Sequence, residues 1–374
     1  MDYSRDLHNN HNVYILGAGF SRLRGFPLIG DFMVMMRDAL QYHSLLGHQR
    51  ECKAIEAVLE FRLRASSAAY RVQIDLENIE ELFSLASAST SQMEDSIRLA
   101  IAATLDYANE TAAPKTAQFN GSEDDVGRKN GWLFNKSQFD ESRGSWIVPA
   151  YSYIVRSLLG HWDDVGRSSE NTFITLNYDT VLEDALSSLG VNYSLGFDER
   201  SKSKDSSVVE VLKLHGSVNW TIPKGARTKI DVLPDYRAVV NAGLTPQLIP
   251  PTWKKDSRGA FNDIWDRSLK ALTGATRVVV IGFSIPATDQ HFKYLLAAGL
   301  QENYSLREIV FINPEIEMVK ERCQNLFSSQ AYNPAKLRFV ASSLEAFTGQ
   351  GTTPECISSI SRPIPNSVQA LRFS

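Results

Sequence analysis

The chain has 374 residues, with 39 Lys and Arg against 43 Asp and Glu, for a formal net charge of −4. That length holds one large domain or two modest ones around a real core, and the near-neutral balance with no dense basic run excludes an extended nucleic-acid footprint, so any DNA role would go through a partner. Cys52, Cys323 and Cys356 lie far apart without a CxxC pair, and no His/Cys pairing has ligand spacing, which argues against a zinc site or a disulfide framework; the polar start MDYSRDLHNNHN and the absence of any apolar run near the ~18 residues of a membrane span point to a cytoplasmic protein.

Residues 13–16, VYIL, are a short unbroken apolar run, as expected of a strand buried on both faces of a parallel sheet. Gly17 and Gly19 follow in GAGFS. Without a Cβ they let the chain turn sharply and bring N–H groups close to phosphate oxygens at the positive end of the next helix. Arg22 stands where a dinucleotide fingerprint has its third glycine, and the acid about 20 residues on, Asp38, lies inside a helical run, which disfavours a standard Rossmann dehydrogenase. A tight strand-to-helix turn without a ligand is the alternative reading. Residues 31–46 then read as a helix with Phe32, Met35, Met36, Ala39 and Leu40 on one stripe, the methionines as core filler.

Residues 51–109 stay helical, almost free of Gly and Pro, and mark a helical insert. Residues 114–145 turn polar, with scattered aromatics at Trp132, Phe134 and Phe139; a loop this long is expected to be mobile, functional or part of a contact surface. A helix is expected at 151–159. The second half alternates: strands at 172–176, 208–214, 277–281, 308–312 and 337–340, with helices at 181–189, 289–300 and 316–327. Such alternation predicts an α/β fold, a Rossmann-like parallel sheet with helices on both faces, plus the inserted helical module. The expected division is a catalytic domain of residues 1–45 and 150–374 and an insert of residues 46–149.

In a sheet of this kind ligands sit beyond the carboxyl ends of the strands. Four of those ends carry unusual polar groups: Asn177-Tyr178-Asp179, His215-Gly216-Ser217, Gly282-Phe283-Ser284 and Asn313-Pro314-Glu315. Each has a bland reading. Asn177 can simply start a helix, with Asp179 or Thr180 better placed as its cap; His215 can be a satisfied structural histidine; Ser284 and Asn313 are ordinary loop residues. Their convergence on the glycine turn is the pattern of an active site.

The GAGFS turn with the following GFP and Asp31-Phe32, LNYD at 176–179, LHGSVNW at 214–220 and IGFSIPATD at 281–289 together resemble the sirtuin-like, or SIR2-like, proteins, especially the bacterial branch of anti-phage defence. The resemblance covers residues 12–45 and about 150–345, in the family's order. Two departures matter: the paired CxxC zinc ligands of sirtuin deacylases are missing, and a long helical insert is present, similar to the defence branch, whose members hydrolyse NAD. The resemblance therefore implies NAD as substrate and control by homo-oligomerisation or by a separately encoded partner such as a HerA-type ATPase, while the missing cysteines imply no metal.

NAD loses nicotinamide as a neutral group from a cationic ring, so the leaving group needs no general acid, unlike the glycosidase with two carboxyls. Backbone N–H groups around Ala18, Gly19 and Phe20, with Ser21, are candidates for the diphosphate. Asp179 or Asp31 can orient the carboxamide. By the resemblance, Asn177 positions water or a ribose hydroxyl. His215 is the candidate general base, worth about a hundredfold to ten-thousandfold. Ser284 and, more weakly, Asn313 fall at the adenosine end, and Pro27, Tyr178, Gly282, Phe283 and Pro314 belong to the same binding loops. The competing classes are an NAD-dependent protein deacylase, which the missing zinc module disfavours, and a non-catalytic nucleotide sensor or assembly subunit, which Asn177 and His215 disfavour.

Overall fold

The computed structural model describes residues 10–87, 91–120, 137–159, 169–198, 208–223, 229–250, 260–285, 290–326, 337–344 and 346. Its centre is β1 (Asn10–Leu16), and Val13, Tyr14, Ile15 and Leu16 have no solvent exposure. Successive strand side chains point to opposite faces, so burial of all four means that both faces of the sheet are covered. β5 (Ser169–Thr175) pairs with β1 on one side and β12 (Arg277–Ile281) on the other. β7 (Val209–Lys213) and the short β6 (Tyr193–Ser194) extend one flank; β13 (Glu308–Ile312) and β14 (Leu337–Val340) extend the other. The order is β14-β13-β12-β1-β5-β7-β6, with every pairing parallel. Leaving out β6, the chain fills one half from β1 outward, then crosses back and fills the other. That is the doubly wound order, and it puts the topological switch point between β1 and β12.

The strand expectations agree with the sheet because the central segments are mostly buried apolar runs; the edge strand β14 is half-buried along its length. Tyr14 stacks on Phe173 with ring centroids 4.8 Å apart, and its hydroxyl donates to the Leu158 carbonyl of α6 (Ala150–Leu158), which fixes that helix over the Tyr14 face. The helix α9 (Ala260–Gly274) packs against β7 and β1. Its inward face, Phe261, Ile264, Trp265, Ser268, Leu269 and Leu272, has helical spacing, a sign present in the sequence but absent from the expected elements.

The helix α2 (Phe32–Leu45) has the buried stripe Phe32, Met33, Met36, Ala39 and His43; Met35 and Leu40 are only half-buried, so the face is rotated from the expected one. α3 (Gln49–Arg71), α4 (Ile79–Ser87) and α5 (Ser91–Thr111) follow as a helical block. The expected polar loop of residues 114–145 is partly structured. β2 (Thr116–Phe119), β3 (Gln138–Asp140) and β4 (Ser145–Pro149) form an antiparallel sheet in the order β2-β4-β3, with Phe139 edge-on to Trp146 at 5.2 Å. Alternation of Ala117 and Phe119 inward is a strand signal that the polar neighbours mask. Trp132 and Phe134 lie outside the described residues, as does the start of the helix expected at 289; its described part, α10, is Gln290–Gln301. Among the described residues no helix is long and apolar enough to cross a membrane.

Buried ionic bonds tie the insert to the segment between β10 (Asp231–Val232) and β11 (Gln247–Leu248). Arg237, on α8 (Tyr236–Asn241), bonds Glu51 of α3 at 3.1 Å and Asp106 of α5, while Arg50 donates to the Leu244 carbonyl at 2.5 Å and Thr245 Oγ1 at 2.7 Å. Glu51 and Asp106 are almost wholly buried, and burial pushes the Asp106 carboxyl up to about 6 in spite of Arg237. Replacing Arg237 by Ala leaves two buried carboxylates without their cation and is expected to cost about 3–5 kcal/mol, measured by denaturant unfolding; a change below about 0.5 kcal/mol, the size of an ordinary surface substitution, would show that the bridge carries no weight.

Candidate functional site

Beyond the strand ends the sheet's ladder runs on by one bond at each junction. Gly17 N–H donates to Ile281 O at 3.0 Å, Gly282 N–H to Ile312 O at 3.0 Å, Asn313 N–H to Val340 O at 3.2 Å, Leu176 N–H to Leu16 O at 3.0 Å and Leu214 N–H to Thr175 O at 3.0 Å. The six strands therefore finish at one level, and the loops leaving them share one rim. At the switch point two turns meet backbone to backbone: Gly19 N–H donates to Gly282 O at 2.8 Å. A Cβ on Gly17 would stand 2.6 Å from Phe283 Cα, one on Gly19 2.7 Å from Gly282 Cα, and one on Gly282, at φ +62°, 2.4 Å from the Gly19 carbonyl carbon. These glycines are required by the approach of the two turns, a reason independent of any ligand.

Over this floor lies a cavity of about 630 Å³, within the range of small-molecule and cofactor sites. Of the sequence-predicted residues it is lined by Gly17, Ala18, Gly19, Ser21, Pro27, Asn177, Tyr178, Asp179, His215, Gly282, Phe283, Ser284, Asn313 and Pro314. Two are not among its lining. Phe20 is in the core, edge-on to Tyr151 at 5.5 Å, and its carbonyl accepts from the Tyr151 hydroxyl at 2.7 Å. Asp31 is held in its own loop, accepting from Leu28 N–H at 2.7 Å and from the Arg22 guanidinium.

The Asn177 amide donates to Gly17 O and to Ser21 Oγ, both at 2.9 Å, and so locks the end of β5 onto the glycine turn. Asp179 Oδ1 accepts from Val181 N–H at 3.0 Å, a turn bond just before α7 (Val181–Ser188); of the two caps that the sequence allowed, the N-cap position falls on Thr180, which makes no side-chain cap bond. The Asp179 carbonyl accepts from Lys213 Nζ, which also bonds Glu183 at 2.8 Å; both ions are buried, and burial raises the Glu183 carboxyl above its ordinary value against the pull of Lys213. His215 is 6% exposed, its ring 6.0 Å from that of Tyr178. Its carbonyl accepts from Ile249 N–H at 2.9 Å, and the Tyr178 hydroxyl donates to Ile249 O at 2.7 Å. Gly216, at φ +81°, allows β8 (Gly216–Ser217) to pair with β11: a Cβ there would lie 2.1 Å from Gln247 O. Asn313 Oδ1 accepts from Glu315 N–H at 2.9 Å.

Several lining residues were not predicted. Asn78, Ile79 and Glu80 at the start of α4, with Leu105 of α5, bring the insert to the cavity wall; no local pattern signals this, because the contact is tertiary. Glu315 also lines it, as do Met318 and Arg322 of α11 (Ile316–Leu326), whose i, i+4 spacing was a readable sign of one helix face. Away from the cavity, donor atoms of His43, His48 and Glu51 gather within 4.8 Å of one another, a grouping of metal-ligand types that the five-residue gap between the histidines conceals. His43 Nε2–H donates to Ala103 O at 2.9 Å, which leaves Nδ1 as an acceptor 3.1 Å from His48 Nδ1 and 3.4 Å from Arg237 Nη2. Burial foremost, and the Arg237 charge as well, hold both imidazoles below their ordinary pKa. The guanidinium already supplies the cation in this cluster.

Residues 171–334 match the family model described as a SIR2-like domain. The match takes in Asn177, Tyr178, Asp179, His215, Gly282, Phe283, Ser284 and Asn313; the glycine turn lies before it. No curated protein matches the chain. Among solved structures the chain is similar to one described under the mechanism and regulation of Sir2 enzymes, at 11% identity over 95% of this chain and 93% of that one, with a TM-score of 0.41. It is also similar to a Sir2 homolog–NAD complex, at 12% identity over 95% and 90% of the two chains, with a TM-score of 0.40. A Sir2 homologue complex with 2'-O-acetyl-ADP-ribose aligns at 12% identity over 96% of each chain, with a TM-score of 0.42.

The meeting of the two turns makes a direct prediction. Gly282→Ala should lose about 1–3 kcal/mol from overpacking and about 1–2 kcal/mol more from the left-handed backbone, seen as a lowered melting temperature, whereas Gly30→Ala, where a Cβ meets nothing within 4 Å, should change little. Equal melting temperatures for the two variants would remove the close approach from the account.

Proposed function

We propose that this protein is an NAD hydrolase, cleaving the nicotinamide–ribose bond to give nicotinamide and ADP-ribose. The observation that carries the reading is the convergence of Asn177 and His215 with the glycine turn on one cavity at the switch point of the sheet, inside a chain that matches a SIR2-like domain. A dinucleotide lying across such a crevice follows the rule for open α/β sheets.

In this reading each group has a task suited to its surroundings. Asn177, fixed by its bonds to Gly17 and Ser21, offers its side-chain oxygen to water or to a ribose hydroxyl. His215 accepts the proton from the attacking water, directly or through a ribose hydroxyl. Asp31 is committed to Arg22 and Leu28, so the carboxamide falls to Asp179, whose Oδ1 is held by the helix start. Ser284, Asn313 and Pro314 serve the adenosine end. Water is favoured as acceptor over an acyl-lysine peptide because the chain has no paired CxxC ligands like those of sirtuin deacylases.

The finer reading extends to biology. The chain divides into a catalytic domain of residues 1–45 and 150–374 and an insert of residues 46–149, acts in the cytoplasm without direct nucleic-acid contact, and depletes NAD in anti-phage defence when a partner, such as a HerA-type ATPase, releases it. Leu45, Leu46, Leu63, Tyr70 and Val72 are exposed apolar residues of α2, α3 and their flanks, which favours self-association through this region.

Incubation of the purified protein with NAD should release nicotinamide, and His215→Ala or Asn177→Ala, compared at a temperature where both variants are folded, should lower the rate at least about a hundredfold; Asn177→Ala should also lower the melting temperature, because it gives up the bonds to Gly17 O and Ser21 Oγ. Full activity in His215→Ala would remove it from the chemistry, and turnover of an acyl-lysine peptide with no NAD hydrolysis would favour the deacylase. Light scattering should find an oligomer; a monomer at every micromolar concentration would sink the assembly reading.

A further inference from the structure

We infer that Arg322 is the cation that receives the diphosphate of the bound dinucleotide, an inference that rests on the nucleotide reading of this cavity. A glycine turn normally offers its N–H groups to phosphate, but here three of them are spent inside the protein. Gly17 N–H bonds Ile281 O, Gly19 N–H bonds Gly282 O, and Phe20 N–H bonds Gly17 O at 2.9 Å. The helix that follows, α1 (Ala18–Ser21), is four residues long, too short to add a useful dipole. A diphosphate carrying about two negative charges therefore needs a cation from elsewhere, since burying uncompensated charge is costly.

Among the described residues the cavity lining holds two arginines, Arg22 and Arg322, and no lysine. Arg22 is bound to Asp31 and points one N–H at Phe26 O. Arg322 has no carboxylate partner among the described residues; its Nη1 donates to Ser284 O at 2.6 Å. Of the five donors of a guanidinium that bond takes one, and the planar fork that remains matches phosphate oxygens. Placement is rigid: Val319 and Cys323 of the same helix are buried and set its rotation, which turns Arg322 to the cavity. Placement is also in the right region, because Ser284 is two residues beyond Gly282, whose backbone touches the glycine turn.

The same bond reaches a strained loop. Ile285, next in the chain, is β-branched yet sits at φ +50°, and Gly282 before it at φ +62°. Arg322 thus joins the phosphate position to the loop that closes the β12 end of the cavity.

The test is ADP-ribose binding by calorimetry as a function of salt, for wild type, Arg322→Gln and Arg322→Lys. Wild type is expected to weaken as salt rises; R322Q should bind at least tenfold more weakly with a shallower salt dependence, and R322K several-fold more weakly with the wild-type dependence kept. Wild-type affinity in R322Q, or a loss in R322Q with the wild-type salt dependence intact, would overturn the assignment, the second result meaning that Arg322 only props the loop. If R322Q melts before ligand is added, R322K decides: loss of the salt dependence in a variant that keeps the charge would overturn it. A wild-type chain that does not bind ADP-ribose at any salt concentration would instead overturn the dinucleotide reading itself.

Discussion

The approach of two backbone turns, Gly17–Gly19 after β1 and Gly282 after β12, is the constraint on which the rest of the site depends. Strands of a parallel sheet stand about 4.8 Å apart, and the loops leaving two neighbours at a switch point normally diverge. Here they are joined by the Gly19–Gly282 hydrogen bond, with no room for a Cβ on either side. The result is a closed floor to the crevice. Once that floor exists, the Asn177 amide can reach Gly17 O and Ser21 Oγ, which draws the β5 end to it as well.

Buried charge holds the remaining walls. Lys213, at the end of β7, reaches back to the Asp179 carbonyl and to Glu183, so the turn carrying Asn177 and Asp179 is pinned to the strand that leads to His215. Pairs of this kind are weak sources of net stability, but losing one partner is costly, which makes them good devices for fixing a geometry. From the insert, Arg50 of α3 grips the segment of residues 236–249, and Glu51 and Asp106 hold its Arg237. That segment in turn holds His215 through Ile249 N–H and Tyr178 through Ile249 O. A continuous set of bonds thus runs from the helical insert to the candidate base, and the start of α4 supplies part of the cavity wall directly.

Much of this was legible in the sequence, and the exceptions have physical reasons. After the paired charges Arg277 and Glu308 that open them, the strands at 277–281 and 308–312 are β-branched and apolar runs buried by a parallel sheet, so they were readable without neighbours. Asn177, His215 and Ser284 were readable as polar residues placed where strands end. Phe20 and Asp31 were not separable from the turn that carries them: burial of the one and the ion pair of the other with Arg22 are tertiary outcomes. Lys213 read as an ordinary strand residue, since a buried lysine is recognised only by its partners. The small sheet of β2, β4 and β3 was hidden by polar residues on its outward face, whereas the helical spacing of Ile264, Trp265, Ser268 and Leu272 in α9 was readable and went unread.

Hydrogen–deuterium exchange with and without ADP-ribose tests the central claim most directly, because it reports every strand end at once. If the joined turns floor a dinucleotide site, protection should rise together in the segments around Gly17–Ser21, Asn177–Asp179, Gly282–Ile285 and Asn313–Glu315, with little change in β2 to β4. Protection confined to other surfaces, or none at ligand concentrations that saturate binding, would contradict the account.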